Sequence, residues 1–261
     1  MPDEQNHHER VIGQFSLQAA SYGKLTCSMA SDDRRAAFAA LVGAMPDDIA
    51  LDVCCGPGSL ALDLAPFVSH VTGLDLTPAM LDQARAAQAS RGIANAEWVV
   101  GDAFRMPFPD AAFTLVTCSA AFHHMRDPRL ALTEMARVCR AGGRIVVRDV
   151  TPEEAKSAAY DRMERLRDPS HVHALTAAEL AHLGEGLGLD DPRLHGSITP
   201  DLPFDAVLGT SFPDECSIAD LRTMFQTDAE EGQDRLGFSA RIVDGVLCVS
   251  YRQTTAIWIR P

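Results

Sequence analysis

The stretch LDVCCGPGSLA, residues 51–61, decides the fold, because an apolar run enters a glycine-rich turn and leaves it as a helix. A short apolar run without alternation is typical of a strand that is buried on both faces of a parallel sheet. Gly56 and Gly58 permit backbone conformations, and a close approach of a ligand, that a Cβ atom would block. The segment therefore predicts a strand, a ligand-binding turn and the start of a helix.

Strands and helices alternate along the chain on both sides of this segment. Apolar runs predict strands at 49–55, 70–76, 96–102, 112–120 and 144–150. Helical spacing, capping residues and terminal glycines predict helices at 32–45, 59–67, 77–92 and 127–141. Strands that are separated by helices form βαβ units, and these give an α/β fold with a parallel sheet that is covered on both faces.

The rhythm of the sequence changes after residue 150. Helices are expected at 151–168 and 173–189, and residues 239–260 alternate around Asp244-Gly245, a typical hairpin turn. We expect an N-terminal helical arm or lid at 1–35, a ligand-binding core at 36–150, substrate-side helices and an insertion at 151–235, and C-terminal strands that complete the sheet at 236–261. His7 and His8 in the arm are expected to lie at a disordered surface.

The composition narrows the possible partners. The 261 residues include 23 Lys and Arg against 36 Asp and Glu, a formal net charge of −13. Such a chain gains no counterion-release energy on nucleic acid and is repelled by anionic lipid, which favours a small-molecule partner. No apolar stretch reaches the ~18 residues of a membrane span, and the start MPDEQNHHER lacks the features of a secretory signal, so we predict a cytoplasmic protein. The seven cysteines lack zinc-site spacing, so no metal is predicted.

Three aspartates stand at the ends of consecutive predicted strands. Asp52 precedes the glycine turn, Asp75 ends the second strand and Asp102 ends the third. All three are expected at the crevice where such sheets bind ligands. The spacing of Gly56 and Gly58 also fits a dinucleotide fingerprint, but a carboxylate at Asp52 opposes a pyrophosphate. S-adenosylmethionine is the better match, because it carries ribose hydroxyls, an adenine amine, an ammonium and a sulfonium, and no phosphate.

The motifs that follow one another over residues 12–150 resemble a known family. LDVCCGPG, GLDLTPAML, GDAFRMPFPDAAFTLV, AAFHHMRDP and EMARVCRAGGRIVV are similar to class I S-adenosylmethionine-dependent methyltransferases of the ubiquinone/menaquinone-biosynthesis-like type (methyltransferase type 11). LRDPSHVHALTAAEL, residues 166–180, resembles a bacterial subgroup with an RDPSH segment. The resemblance implies a Rossmann-like, doubly wound, mostly parallel seven-stranded sheet with an antiparallel C-terminal strand or hairpin and a helical lid or insertion. Cys54 departs from the family, which has the first glycine of its loop at this position.

The resemblance also implies a site for S-adenosylmethionine and its product S-adenosylhomocysteine. Its residues would be Tyr22, Asp52, Gly56, Gly58, Asp75, Leu76, Met80, Asp102, Ala103, Phe104 and Ser119. In the family pattern, Asp52 and the glycine loop hold the methionine end, Asp75 accepts both ribose hydroxyls and Asp102 accepts from the adenine amine. Tyr22 would close over the methionine end.

Candidate residues for the acceptor side follow the fourth predicted strand and the helix at 151–168. Either His123 or His124 acts as a base or orients the substrate, or the two form a solvated or capping pair. Arg167, Asp168 and His171 either stop a helix with an internal ion pair or bind the acceptor. Both readings remain open from the sequence.

These features predict an enzyme that transfers a methyl group from S-adenosylmethionine to a small organic acceptor by in-line displacement. Apolar and aromatic residues in the insertion, such as Phe204 and Phe225, suggest a mainly apolar acceptor. Two alternatives remain: an NAD(P)-dependent oxidoreductase, or a protein that binds S-adenosylmethionine in a role other than methyl transfer. Asp52 and the C-terminal hairpin count against the first.

Overall fold

The computed structural model of the protein describes residues 2–28 and 31–261, with side chains from residue 7 onwards except at 24 and 26–28. The helices are α1 (Pro2–Ser28), α2 (Asp32–Leu41), α3 (Ser59–Leu64), α4 (Pro78–Arg91), α5 (Pro128–Val138), α6 (Ser157–Arg167), α7 (Ala177–His182), α8 (Phe204–Leu208) and α9 (Ile218–Glu231). The strands are β1 (Ile49–Val53), β2 (His70–Asp75), β3 (Ala96–Val100), β4 (Phe113–Ser119), β5 (Cys139–Val150), β6 (Arg193–Ile198), β7 (Leu202–Pro203), β8 (Arg241–Val243), β9 (Val246–Val249) and β10 (Arg252–Ile259).

A seven-stranded sheet forms the centre of the fold, in the order β3-β2-β1-β4-β5-β10-β6. The strands β1 to β5 pair in parallel, and β10 is antiparallel to both β5 and β6. This architecture confirms the expected Rossmann-like sheet with one antiparallel C-terminal strand. The strand order reverses between β1 and β4, which opens a crevice at the carboxyl ends of the strands.

Local signals in the sequence explain the helix ends around this crevice. Pro78 takes the first position of α4, and Gly92 follows its end with a left-handed φ of 63°. Thr77 stands at the N-cap, but its side chain makes no capping bond. Its amide instead donates to Asp75 Oδ1 at 2.8 Å, so the strand-end carboxylate fixes the start of α4.

Most of the N-terminal arm is α1, a single helix of 27 residues that packs on α3 and α4. Its contact side is partly polar, since the buried residue Gln18 donates to Asp168 Oδ2 at 2.7 Å. Because α1 is held partly by a hydrogen bond to a residue 150 positions away, it does not need a strong apolar stripe. Without such a stripe, the full length of the helix is hard to predict from the sequence.

The C-terminal third was predicted only in part. Asp244 and Gly245 form the hairpin turn between β8 and β9, with φ of 50° and 79°. The hairpin pairs with β7 in a separate three-stranded sheet, whereas β10 and β6 complete the central sheet. The helix expected at 173–189 is limited to α7, because Gly186 and Gly188 adopt positive φ and Gly184 packs against the Trp258 ring.

The aromatic residues of the insertion lie in a hydrophobic core of their own. Phe204 is 1% exposed and stacks on Phe225 with ring centroids 4.2 Å apart. These side chains therefore stabilise the insertion and give no support to an apolar acceptor. Among the described helices, none has the length and apolar character needed to cross a bilayer.

Candidate functional site

A cavity of about 580 Å³ opens at the carboxyl ends of β1 to β5, and residues of α1 and α2 line its other side. Ten of the residues assigned to the cofactor by resemblance line this cavity: Tyr22, Asp52, Gly56, Asp75, Leu76, Met80, Asp102, Ala103, Phe104 and Ser119. Gly58 does not. A Cβ atom on Gly58 would overlap the Trp98 ring and come within 2.9 Å of Ala84 Cβ, so this glycine is required for packing behind the loop.

The glycine loop is held in an unusual backbone conformation. Cys54 has a φ of 54°, a left-handed value that costs a residue with a side chain about 1–2 kcal/mol. Gly56 has a similar φ of 53°, and a Cβ built on it would meet no atom within 4 Å. The positive φ and the open space beside its α-carbon therefore explain why glycine stands at position 56. Cys54 adopts a positive φ despite its side chain.

Asp75 joins the loop to the next strand. Its Oδ2 accepts from the Gly56 amide and its Oδ1 from the Thr77 amide, both at 2.8 Å. Burial raises the pKa of Asp75, and these two amides oppose the rise. The carboxylate is thus fixed at the cavity edge, and its remaining lone pairs suit a pair of vicinal hydroxyls.

Asp52 is the most deeply buried of the three strand-end carboxyl groups, at 1% exposure. Thr117 Oγ1 donates to its Oδ1 at 2.8 Å, and its Oδ2 has no partner that meets hydrogen-bond geometry among the described residues. Burial raises the pKa of Asp52 to about 7, although Thr117 and Arg148 lower it. A bound ammonium would donate a hydrogen bond to Oδ2 and balance the charge of the ionised carboxylate. The resemblance implies such an ammonium here, at the methionine end of S-adenosylmethionine.

Asp102 and Phe104 line the cavity just after β3. The Phe104 amide donates to Asp102 Oδ1 at 2.8 Å, so the turn after the strand fixes the orientation of this carboxylate. The His8 ring stacks on Phe104 with centroids 5.9 Å apart, and His7 Nε2 lies 2.8 Å from the His124 carbonyl oxygen. The expectation that His7 and His8 lie at a disordered surface was wrong, because both line the cavity from α1.

Arg148 is a cavity residue that the sequence reasoning missed. It is a charged residue within the apolar strand run RIVVRDV, and this contrast was the available signal. Its Nε donates to Ser119 Oγ at 3.1 Å, and its guanidinium carbon lies 4.6 Å from the centre of the Phe38 ring. Tyr22 belongs to the same part of the cavity, and burial raises the pKa of its hydroxyl.

The two adjacent histidines have different surroundings. His124 lines the cavity and His123 does not. His123 Nδ1 lies 2.6 Å from Asp149 Oδ1, in a buried ion pair. Burial alone would lower the pKa of His123, but the Asp149 carboxylate raises it above the ordinary value. The ion pair with Asp149 therefore favours the protonated form of His123 and holds its ring outside the cavity.

His124 is supported by residues from the RDPSH segment. Its Nδ1 lies 3.0 Å from Ser170 Oγ, which donates its only hydrogen to Asp168 Oδ1 at 2.6 Å. The imidazole must therefore donate from Nδ1, which leaves Nε2 as an unprotonated acceptor. Burial and the neighbouring His123 lower the pKa of His124 to about 3, so the ring is neutral at physiological pH.

Arg167, Asp168 and His171 do not line the cavity. Arg167 pairs with Glu164 at 2.6 Å, and His171 Nε2 lies 2.8 Å from Asp161 Oδ1. The ion pairs of Arg167 and His171 therefore go to residues of α6 and not to another member of the RDPSH segment, and none of the three side chains lines the cavity. Across the described part of the chain, no group of three or more His, Cys, Asp or Glu residues is arranged to hold a metal ion.

Comparison with known proteins agrees with this geometry. Residues 51–147 match the methyltransferase domain family. The chain is 37% identical over 131 residues to the uncharacterized methyltransferase YcgJ of Bacillus subtilis, covering 49% of this chain and 52% of YcgJ. It is 36% identical over 157 residues to demethylmenaquinone methyltransferase of Deinococcus radiodurans, covering 58% and 64% of the two chains. The matches thus span about half to two thirds of these relatives.

The fold is shared more widely than the sequence. The crystal structure of YcgJ superposes with a TM-score of 0.71 at 23% identity, over 87% of this chain and 97% of that one. The [4+2]-cyclase SpnF superposes with a TM-score of 0.64 at 16% identity, over 96% and 95% of the chains. The fold alone therefore does not determine the chemistry. The family match is more specific: residues 51–147 are similar to the methyltransferase domain family, and S-adenosylmethionine is the cofactor expected of such a domain.

Proposed function

We propose that this protein transfers a methyl group from S-adenosylmethionine to a small, mainly apolar acceptor that carries an ionisable hydroxyl or an equivalent acidic position. The observation that carries the proposal is the shared cavity, which is lined both by the Asp52, Asp75 and Asp102 carboxyl groups and by the neutral ring of His124. The first three groups match a cationic nucleoside, and the last is a hydrogen-bond acceptor for a second substrate.

In this proposal each strand-end carboxylate has one task. Asp75 binds the ribose hydroxyls, because two backbone amides already fix its orientation. Asp102 accepts from the adenine amine, with Phe104 beside the ring. Asp52 faces the ammonium, whose charge would replace the partner that Oδ2 lacks. Leu76 and Met80 supply the apolar contacts of the adenine.

When bound, S-adenosylmethionine supplies an electrophilic methyl group on a sulfonium. His124 Nε2 would accept the hydrogen bond of the acceptor hydroxyl and take up its proton as the methyl group is transferred. The low pKa of His124 keeps Nε2 unprotonated beside a cationic cofactor. Loss of the sulfonium charge during transfer removes one of the charges that oppose protonation of the imidazole.

The lining near His124 favours an apolar acceptor body. Val11, Phe15 and Met125 line the cavity beside it, and the Phe15 ring meets the His124 ring edge-on at 5.0 Å. A relative that is named demethylmenaquinone methyltransferase supports a quinone-like aromatic compound as the acceptor class. Because the core residues Phe204 and Phe225 lie elsewhere, the apolar character comes from α1 and from the segment after β4.

Calorimetric titration tests the cofactor half of the proposal. S-adenosylhomocysteine should bind with micromolar affinity, while NADH and NADPH give no heat, because Asp52 opposes a pyrophosphate. Binding of a nicotinamide nucleotide in place of S-adenosylhomocysteine would contradict the proposal. The acceptor half is tested with methyl-labelled S-adenosylmethionine against matched hydroquinones, phenols and aliphatic amines. Transfer to the amines alone would contradict the assignment of a hydroxyl acceptor.

A further inference from the structure

The guanidinium of Arg148 belongs to a half-buried residue and has few direct partners. Within the described residues it makes one hydrogen bond, from Nε to Ser119 Oγ at 3.1 Å, and one aromatic contact, with Phe38. No carboxylate of that part of the chain forms an ion pair with it. Burial lowers the pKa of Arg148, although the nearby Asp52 carboxyl group opposes this shift. An arginine does not lose its proton in proteins, so the charge remains.

The surroundings of Arg148 include hydroxyl groups on both neighbouring strands. Ser119 lies opposite Arg148 on β4, and Thr255 lies opposite it on β10. All three residues line the cavity. A guanidinium presents a planar fork of donors that matches a carboxylate in a bidentate geometry, and a flanking hydroxyl adds a further donor.

The charges of the cavity favour a single negative charge over a phosphate. Asp52 is the carboxyl group that acts most strongly on Arg148. Asp63 and Asp75 line the same cavity. Arg34 and Arg35 also line the cavity, and Arg35 pairs with Asp63. A dianionic phosphate would be repelled by the acids more strongly than a carboxylate, whose single negative charge the Arg148 guanidinium matches.

We propose that Arg148, with the hydroxyls of Ser119 and Thr255, forms a carboxylate-binding site in the cavity. The proposal rests on the methyl-transfer function above, since the carboxylate has two sources there. One is the amino-acid end of the cofactor, and the other is an acidic group on the acceptor. The chemistry of recognition is the same in both cases, and binding measurements separate them.

The test uses the full chain with Arg148→Met, which keeps the side-chain length and removes the charge, and Arg148→Lys, which keeps the charge and removes the fork. Arg140→Met is the matched control, because Arg140 is exposed on the same strand and outside the cavity. Calorimetry measures three probes: S-adenosylhomocysteine, 5′-methylthioadenosine, which lacks the amino-acid end, and 2-naphthoate. Thermal melting shows whether each variant is folded, and Arg148→Lys decides the question if Arg148→Met is not.

Two results would support the site. If the carboxylate belongs to the cofactor, Arg148→Met weakens S-adenosylhomocysteine by about 10- to 100-fold and leaves 5′-methylthioadenosine within about twofold. If it belongs to the acceptor, both nucleosides are unchanged and 2-naphthoate binding to the S-adenosylhomocysteine complex falls by a similar factor. Arg148→Lys should give a smaller loss in either case, and Arg140→Met none.

Equal affinities of wild type and Arg148→Met for all three probes would overturn the proposal. Failure of the proposed function looks different, because the wild-type protein would then bind neither nucleoside. In that event 2-naphthoate titrated into the protein without nucleoside decides the question alone. Binding that depends on Arg148 would support the site, and its absence or its persistence in Arg148→Met would overturn it.

Discussion

The adenosine side and the acceptor side of the cavity are built in different ways. On the adenosine side, Asp75 is fixed by two backbone amides. One belongs to Thr77, two residues further along the chain, and the other belongs to Gly56 in the glycine loop. On the acceptor side, His124 is fixed by Ser170, which is bound to Asp168, which in turn accepts from Gln18 of α1. The first arrangement depends on backbone turns after strands. The second depends on side chains that three distant segments bring together.

Because the two sides are held in different ways, we expect substitutions to affect cofactor binding and turnover differently on each side. A carboxylate that is held by backbone amides keeps its place when neighbouring side chains change, so only its own replacement is expected to affect binding. A histidine at the end of a chain of side chains loses its orientation when any link is removed. Substitutions can therefore separate binding of the cofactor from the chemical step.

The largest expected effect is on the acceptor side. His124→Ala removes the acceptor of the substrate proton, so turnover should fall by about 10²- to 10⁴-fold, the usual range of general base catalysis. Affinity for S-adenosylhomocysteine should stay within a few-fold, because the adenosine side is untouched. Single-turnover kinetics with labelled S-adenosylmethionine and calorimetry measure the two quantities.

Two companions sharpen the His124 result. Ser170→Ala keeps the imidazole but removes the partner that orients it at Nδ1, so the loss of turnover should be smaller than in His124→Ala and the pH profile should change. His123→Gln changes a residue outside the cavity and should retain more activity than His124→Ala. Full activity of His124→Ala would break the distinction between the two sides and remove the proposed base.

A smaller effect is expected from Asp75→Ala on the adenosine side. The loss of a charged acceptor of two hydroxyls should cost about 1.5–3 kcal/mol, or about 10- to 150-fold in affinity for S-adenosylhomocysteine. Asp82→Ala is the matched control, because Asp82 is exposed on α4 and pairs only with Arg85 among the described residues. Unchanged affinity in calorimetry for Asp75→Ala would contradict the ribose assignment.

The smallest expected effect is the pH dependence that Asp52 imposes. Its pKa of about 7 means that the empty site is partly protonated at neutral pH, and an ammonium binds the ionised form better. Affinity for S-adenosylhomocysteine should therefore rise by about tenfold between pH 6 and 8, with proton release on binding. Asp52→Asn should flatten this profile.

Stability provides the control for the Asp52 prediction. A carboxyl group whose folded pKa is raised stabilises the fold fully below the unfolded pKa, and this contribution is lost as pH rises through about 7. As the pH rises from about 4 to about 7, the denaturation midpoint of the wild type should fall relative to that of Asp52→Asn. A flat difference between the two proteins would show that Asp52 is ionised in the empty site.

The contrast between local backbone turns and contacts of distant side chains also explains which features could be predicted from the sequence. The sheet, the glycine loop and the strand-end aspartates follow from local patterns, and the structure agrees with the fold that they predict. The roles of Arg167 and His171 could not be read, because only the fold shows which face of α6 meets the cavity and that their partners there are Glu164 and Asp161. Gly58 was assigned to the ligand because the sequence does not distinguish a glycine that makes room for a ligand from one that makes room for an indole ring.

The helix α1 ties access to the cavity to the support of His124. Gln18 holds Asp168 from one part of the helix, and His7 holds the carbonyl of His124 from another. Any displacement of α1 that admits or releases a molecule from this side breaks these bonds, and the orientation of the imidazole is weakened with them. The support of His124 for proton transfer is therefore complete only while α1 keeps the position that it has in this structure.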